Sequence, residues 1–400
     1  MAHHPNRRPV STPLSRRQFL VRSGLLGAAG VSLPALLAAC GSDSKGDGTT
    51  PSAAPTTASG GGNSLFFENW PAYIDPTEDG LTGTVDRFIA ATGVDMRYTE
   101  AYNDNNEYFA KIQPLLGAGK PIAPDLIAPT FWLTARLIRL GWVDTLPLGQ
   151  VPNAANLVDG LKNPTWDPTG EYSLPWQTGM TGIAYNLDAT GRELGSVADL
   201  FDPEFKGKIG MLTEMRDTIG VLLQGQGVDP STITSFDQAA AAFEQLEKAK
   251  NDGQIRAFTG NDYLDDLSSG NFAACIGWSG DVLQLGKDNP NVRFVIPEEG
   301  GMRWADTMVL PKGAVNRDAA AKWMDFVYDP VQAAQITAWV QYISPVKGVQ
   351  EELAKIDAEL AANPLLFPDA ATDSRLRAFA NLTEDVEAEF DAAFSRITGA

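Results

Sequence analysis

Histidine is nearly missing from this chain. The 400 residues hold two, His3 and His4, side by side near the N-terminus. Past them there is no imidazole for a Ser-His-Asp or Cys-His arrangement, and the commonest metal ligand is lost with it. Cysteine is as scarce, with only Cys40 and Cys275. Basic residues are short too: 31 Lys and Arg stand against 50 Asp and Glu, a formal charge of −19. Such a chain repels nucleic acid and anionic lipid. Acidity also keeps a chain soluble, so the total alone says little about a cationic ligand. Beyond residue 40 no stretch approaches the roughly 20 apolar residues that span a bilayer. No internal repeat is visible, and composition is even from 64 to 400 with no linker between halves. Paired carboxylates remain able to hydrolyse glycosides, but nothing else in the sequence favours that chemistry.

What is present begins at the N-terminus. Ser15-Arg16-Arg17-Gln18-Phe19-Leu20 sets two arginines ahead of an uncharged apolar run from Leu25 to Ala39. A basic region, a short apolar region and a small-residue cleavage site read as a signal peptide over residues 1–39. The paired arginines suggest twin-arginine export, with general secretion as the alternative. Leu37-Ala38-Ala39-Cys40-Gly41 looks like a bacterial lipobox. Cys40 would then be acylated and become the new N-terminus; an uncleaved anchor or ordinary helix is the other reading. Residues 41–62, rich in Gly, Ser, Thr, Ala and Pro, read as a tether of roughly 25 Å. Cleavage would remove both histidines and five arginines, moving the charge from −19 to −19 − 5 = −24. Cys275, in an apolar run, is then expected to be a buried small hydrophobe with no disulfide.

About 360 residues remain, enough for two domains. Ser64–Trp70 reads as a strand entering a loop, and 82–92 as a helix stopped by Gly93. Strands follow at 94–99 and 125–128, with helices at 108–116, strained by Pro114, and 133–140. An extended pair is expected at 172–175 and 182–186. A second set has strands at 208–212, 273–278 and 292–297. Its helices are expected at 236–250, 318–327, 331–340, 351–362 and 384–397. Alternating strands and helices indicate an α/β architecture.

Several stretches share an order with one family. Asn69-Trp70-Pro71-Ala72-Tyr73 resembles an N-W-x-x-Y opening, and Asp125-Leu126-Ile127-Ala128-Pro129-Thr130 a D-L-V-V-P-S piece. Thr181-Gly182-Ile183-Ala184-Tyr185-Asn186 is similar to T-G-I-G-Y-N. Leu267-Ser268-Ser269-Gly270 leading to Ile276-Gly277-Trp278-Ser279-Gly280-Asp281 resembles L-x-x-G and I-G-W-x-G-D. Ile296-Pro297-Glu298-Glu299-Gly300 resembles I-P-K-E-G, with Ala305-Asp306 beyond it. Together they resemble the polyamine (spermidine/putrescine) binding proteins of bacterial ABC importers. The resemblance implies a two-lobed periplasmic-binding fold of type II with a ligand cleft between lobes. One lobe is expected from 64–178 plus 279–325, the other from 179–278 plus 326–400.

The resemblance also implies a site. A linear polyamine needs carboxylates at its ammonium ends and aromatic faces along its methylenes. Trp70, Tyr73, Trp278 and Tyr342 would line it, with Trp132 and Trp304 at further aromatic positions. Asp281 and Asp306 would hold one ammonium and Asp217 the other; Thr130 would bond through its hydroxyl. Each has a plainer reading: a core tryptophan, a turn or cap aspartate, or for Asp217 an ion pair with Arg216. Pro71 and Ala72 stand where spermidine-type members carry polar or acidic residues, which favours a shorter diamine. Arg303, if it faced the cleft, would favour an amino acid or opine-like conjugate. No cofactor, metal or catalysis is expected. The expected partners are a small cationic ligand, an ABC permease, and the membrane through lipidated Cys40. The chain is expected to be a monomer outside the cytoplasm, with no affinity for nucleic acid.

Overall fold

The computed structural model describes residues 63–78 and 80–399. The expected signal peptide, Cys40 and the tether lie outside the described residues. The chain divides into two units, 1–59 with 78–81, and 60–77 with 82–400; the fold below is that of the second.

In chain order it runs β1 (Ser64–Asn69), α1 (Thr84–Thr92), β2 (Asp95–Glu100), α2 (Asn105–Leu116), β3 (Leu126–Ile127), α3 (Phe131–Arg139) and β4 (Val143–Asp144). Then come β5 (Ser173–Asn186), β6 (Ile209–Leu212), α4 (Met215–Gly225), α5 (Ala240–Asn251), β7 (Ile255–Thr259), α6 (Tyr263–Ser269) and β8 (Ala274–Trp278). The rest is α7 (Ser279–Asp288), β9 (Val292–Val295), β10 (Gly301–Pro311), α8 (Arg317–Val327), α9 (Pro330–Val340), β11 (Leu376–Arg377) and α10 (Glu384–Thr398), with shorter helical turns between.

One sheet path, β2-β1-β3-β10-β5-β8-β6-β7, carries the architecture. At one end β1 pairs parallel with β2 and β3; at the other β6 pairs parallel with β7 and β8. Each parallel group is flanked by helices, the arrangement that buries both faces of such strands. The groups are joined by β5 and β10, antiparallel to each other, with β10 antiparallel to β3 and β5 antiparallel to β8. This is an α/β fold of two lobes with a cleft between them, as the sequence suggests.

The crossover strands differ from the sequence reading. The expected extended pair is a single 14-residue strand, β5, buried throughout. Its middle stays extended because β10 pairs with it from Ser173 to Thr181, interrupted by a bulge between Asp306 and Thr307. The helix expected at 236–250 is a short turn Phe236–Gln238, capped by Ser235, followed by α5. The helix expected at 351–362 is two pieces, Val349–Leu353 and Ala358–Ala361, the second capped by Asp357. Pro330 opens α9 at its first position behind the Asp329 cap, where a missing N–H costs nothing. Cys275 is buried, and burial pushes its thiol pKa well up, as befits an inert packing residue. Among the described residues no helix is long and apolar enough to cross a membrane.

Candidate functional site

Four chain segments leave the carboxyl ends of parallel strands and meet at one place. From β1 the chain turns through Trp70 and Tyr73; from β3 it enters Thr130 and α3. From β6 it enters Glu214 and the first turn of α4, and from β8 the first turn of α7. Crevices at strand carboxyl ends are where open α/β sheets bind ligands. Here they enclose a cavity of about 60 Å³. That is room for a few waters or a slender small molecule, and none for a macromolecule.

All ten expected site residues line this cavity: Trp70, Tyr73, Thr130, Trp132, Asp217, Trp278, Asp281, Trp304, Asp306 and Tyr342. Most are buried or half-buried. The rings are fixed by packing and by their polar tips. Trp70 stacks on Tyr102 at 4.8 Å and donates its indole N–H to the Ala128 carbonyl at 2.8 Å. Tyr342 meets Tyr73 edge-on at 5.4 Å and Trp304 at 5.3 Å. Two glycines make the close approaches. A Cβ on Gly179, opposite Trp304 in the β5–β10 ladder, would lie 2.6 Å from that indole's Cη2. A Cβ on Gly280 would lie 2.7 Å from the Tyr342 ring. Only a backbone without a side chain lets both rings lie this near it.

The carboxylates are held just as firmly. Asp306 accepts from the Tyr73 hydroxyl at 2.8 Å and from Thr130 at 2.6 Å. Asp217 accepts from Thr181 at 2.8 Å and from the Trp278 indole N–H at 3.0 Å. The ion pair with Arg216 that would have made Asp217 a plain structural residue is absent; Arg216 pairs with Glu387 instead, at 2.6 Å. Each carboxylate uses one lone pair per oxygen and keeps others for a further donor. Asp217 and Asp281 also lie in first helical turns, where the helix dipole favours negative charge.

Burial raises the pKa of Asp306, Asp217 and Glu214, because a dry wall disfavours the charged form. Asp306 is pushed up to about 7 and Asp217 to about 6, both chiefly by desolvation against the pull of their hydrogen bonds. Glu214 is pushed up to about 8 by desolvation, then by the charges of Asp104 and Asp217.

The structure adds residues the sequence reading did not select, notably Asn105, Glu214 and Arg216. Asn105 donates to Thr130 Oγ1 at 2.9 Å and to Glu214 Oε1 at 2.7 Å, linking Asp306 to Glu214 through one chain of donors. The signal was available: Thr213–Asp217 follow a strand of the second parallel group at its carboxyl end. Arg216 lays its guanidinium 4.0 Å above the Trp132 ring. Arg303, the residue that could have brought positive charge, does not line the cavity and pairs with Asp373 instead. Among the described residues no cluster of three or more metal-ligating side chains occurs.

Comparison with known proteins places this geometry. Residues 83–368 match the family model for bacterial extracellular solute-binding proteins. The chain is 27% identical over 311 residues to the spermidine/putrescine-binding periplasmic protein of Escherichia coli, covering 78% of this chain and 84% of that one. It is 28% identical over 331 residues to that organism's putrescine-binding periplasmic protein PotF, covering 78% and 85%. A solved structure from Listeria monocytogenes, described as a spermidine/putrescine ABC transporter, superposes with a TM-score of 0.74 at 24% identity over 84% of this chain and 99% of that one. Solved structures of the same fold include a GABA receptor and a protein in complex with agropinic acid. The family and the curated relatives are substrate-binding transport proteins, not enzymes. The chain belongs to the bacterial extracellular solute-binding protein family.

Proposed function

We propose that this chain binds a linear polyamine, with a short diamine such as putrescine preferred, in the cavity between its lobes. The observation that carries the reading is the wall itself: aromatic rings along a narrow slot with several carboxylates around it. The lining acids Glu214, Asp217, Asp281 and Asp306 against Arg216 give −4 + 1 = −3 at full ionisation. A dication offsets most of that charge, and the small cavity suits a short chain. Aromatic faces would cover the methylenes, and each cation–ring contact is worth about 0.5–2 kcal/mol. Thr130, Asp217, Asp281 and Asp306 would take the ammonium groups; Trp70, Tyr73, Trp132, Trp278, Trp304 and Tyr342 would form the lining.

We divide the lobes by contact. β1–β4 with α1–α3, α8 and α9 form one; β6–β9 with α4–α7 and α10 form the other. The expected boundaries shift accordingly. Residues 279–295 join the second lobe because β9 pairs with the far half of β5 and α7 packs on β8 and β9. α9 joins the first because it packs on α1. Export through the signal peptide, anchoring through acylated Cys40, action as a monomer and delivery to an ABC importer complete the proposal. Its support is the lipobox motif and the company of periplasmic relatives.

A second reading, a ligand that also bears a carboxylate or carbonyl, is favoured by one observation. Arg216 lines the cavity, and the buried Arg216 Nε and Trp304 Nε1 have no hydrogen-bond partner. The test is isothermal titration of the full chain carrying Cys40→Ser with putrescine, cadaverine, spermidine and spermine. Micromolar binding that is lost in Asp281→Asn and Asp306→Asn supports the polyamine reading. A folded protein that gives no heat with any of them sinks it and turns the search to amino acids and their conjugates.

A further inference from the structure

Beside Trp132, whose ring lies under Arg136 and Arg216, one acid gathers three bases. Glu387, on α10, accepts from Arg136 Nε at 3.1 Å, Arg139 Nη2 at 2.6 Å and Arg216 Nη2 at 2.6 Å. Asp391, one turn on, accepts from Arg136 at 2.7 Å. Arg136 and Arg139 lie on α3, Arg216 on α4 and Glu387 on α10. By the division above, α3 belongs to the first lobe and α4 and α10 to the second. Two of the three arms therefore bridge the lobes, and the Arg216 arm stays within one.

The cluster is built rather than incidental. Glu387 is buried, and the neighbouring guanidinium groups hold its carboxyl below the usual range despite desolvation. Its helix is pinned by Phe390, which meets Phe236 and Phe243 edge-on at about the usual aromatic separation, 5.4 and 5.3 Å. Arg136 is placed by the rings of Phe109 and Trp132, 5.2 and 5.1 Å away. Trp132 thus carries both Arg136 and, at 4.0 Å, Arg216 over its ring. The same ring lines the ligand cavity.

We infer that Glu387 is a positioning residue that clasps the two lobes through Arg136 and Arg139 and sets Trp132 at the cavity wall, so that it governs how long a bound ligand stays. The inference rests on the proposed lobes and on the binding role of the cavity, though not on the ligand's identity. Parting the lobes would strip Glu387 of two guanidinium partners and leave Arg136 beside a ring with its charge unmatched. Losing one partner of a buried charge pair acts mainly on dissociation.

The experiment uses the full chain with Cys40→Ser and spin labels on Lys120→Cys and Lys248→Cys, exposed sites on α2's trailing turn and on α5; Cys275 is buried. Label distances are measured with and without putrescine, and kon and koff for putrescine by stopped flow. Arg139→Gln cuts one bridging arm at a half-exposed side chain, and Glu387→Gln cuts all three; a thermal melt checks that each is folded. The expected result is a loss of the shortest label distances in both variants, with koff raised about tenfold or more and kon within about threefold. Folded variants with wild-type distances and wild-type koff overturn the inference. If putrescine gives no heat with the parent protein, the polyamine reading fails alone. The ligand-free distances then decide: shorter in the parent than in Arg139→Gln upholds the clasp, and coincident distributions reject it.

Discussion

Asp306 should couple ligand capture to proton release near neutral pH. Its carboxyl is buried, and its pKa is raised to about 7 by desolvation, with Asp217 adding repulsion. An aliphatic ammonium keeps its proton up to about pH 10. A cation therefore binds the ionised form of Asp306 and must displace the proton where one is held. At pH 6 about nine in ten empty sites are protonated at this group; at pH 8 about one in ten. Putrescine affinity should then fall about tenfold between pH 8 and pH 6, ~1.4 kcal/mol. Asp217, at about 6, steepens the loss on the acid side. Titration at pH 7 in two buffers of different ionisation enthalpy should show about half a proton released by Asp306 per ligand bound. The sign for folding is opposite to that of a salt-bridged carboxylate. The unfolded group ionises near 3.9 and the folded one near 7, so the empty protein loses this group's contribution as pH rises from about 4 to 7. Ligand removes that penalty, and its thermal shift should grow with pH over the same window. Asp306→Asn should bind more weakly and lose most of the pH slope, keeping the share due to Asp217. An affinity constant from pH 6 to 8, with heats independent of buffer, would refute the reasoning.

Two substitutions separate the cavity wall from the scaffold. Gly179→Ala forces a methyl group against the Trp304 indole; overpacking of this kind costs about 1–3 kcal/mol, so the melting temperature should fall and putrescine binding weaken by about tenfold or more. A variant with unchanged melting and affinity would show that the ring does not rest on that backbone. Asp125→Ala should do the reverse. Asp125 accepts from the Phe66 and Asn316 backbone N–H groups and from the Asn316 side chain, at 3.0–3.1 Å, and lies outside the cavity lining. Stranding these donors should lower stability by about 2–4 kcal/mol in denaturant titration while leaving affinity within about twofold; a selective loss of affinity would contradict it.

Most of the cavity residues were legible because they sit in short junctions. Trp70 and Tyr73 follow β1, Thr130 and Trp132 follow β3, and Trp278 and Asp281 follow β8, so a few consecutive letters carry both the strand end and its chemistry. Where that junction is lacking, the strand itself was missed although its site residues were expected. β10 supplies Trp304 and Asp306 from inside an eleven-residue crossover. Its alternation was hidden by the bulge after Asp306, which shifts register there. Arg303 was the cation to watch from its place beside Trp304, yet successive residues of a strand face opposite ways, and it pairs with Asp373.

The same logic explains why the pairing of Arg216 with Glu387 was beyond local reading. Glu387 meets Arg216 across 171 positions and Arg136 across 251. No pattern within one element predicts a partner at that range, since α10 alone reads as an amphipathic helix with acids in its first turn. Only the topology makes the meeting inevitable. Once β10 returns beside β3, and the chain crosses back to pack α10 on α5, the C-terminal helix is carried to the lobe boundary. A buried acid at that boundary needs compensating charge from whichever helix faces it, and α3 and α4 are the helices whose first turns also line the cavity. A site between two lobes thus has two kinds of determinant. Residues that line the cavity are written mostly at strand ends. Residues that hold the lobes around it are written wherever the chain happens to cross.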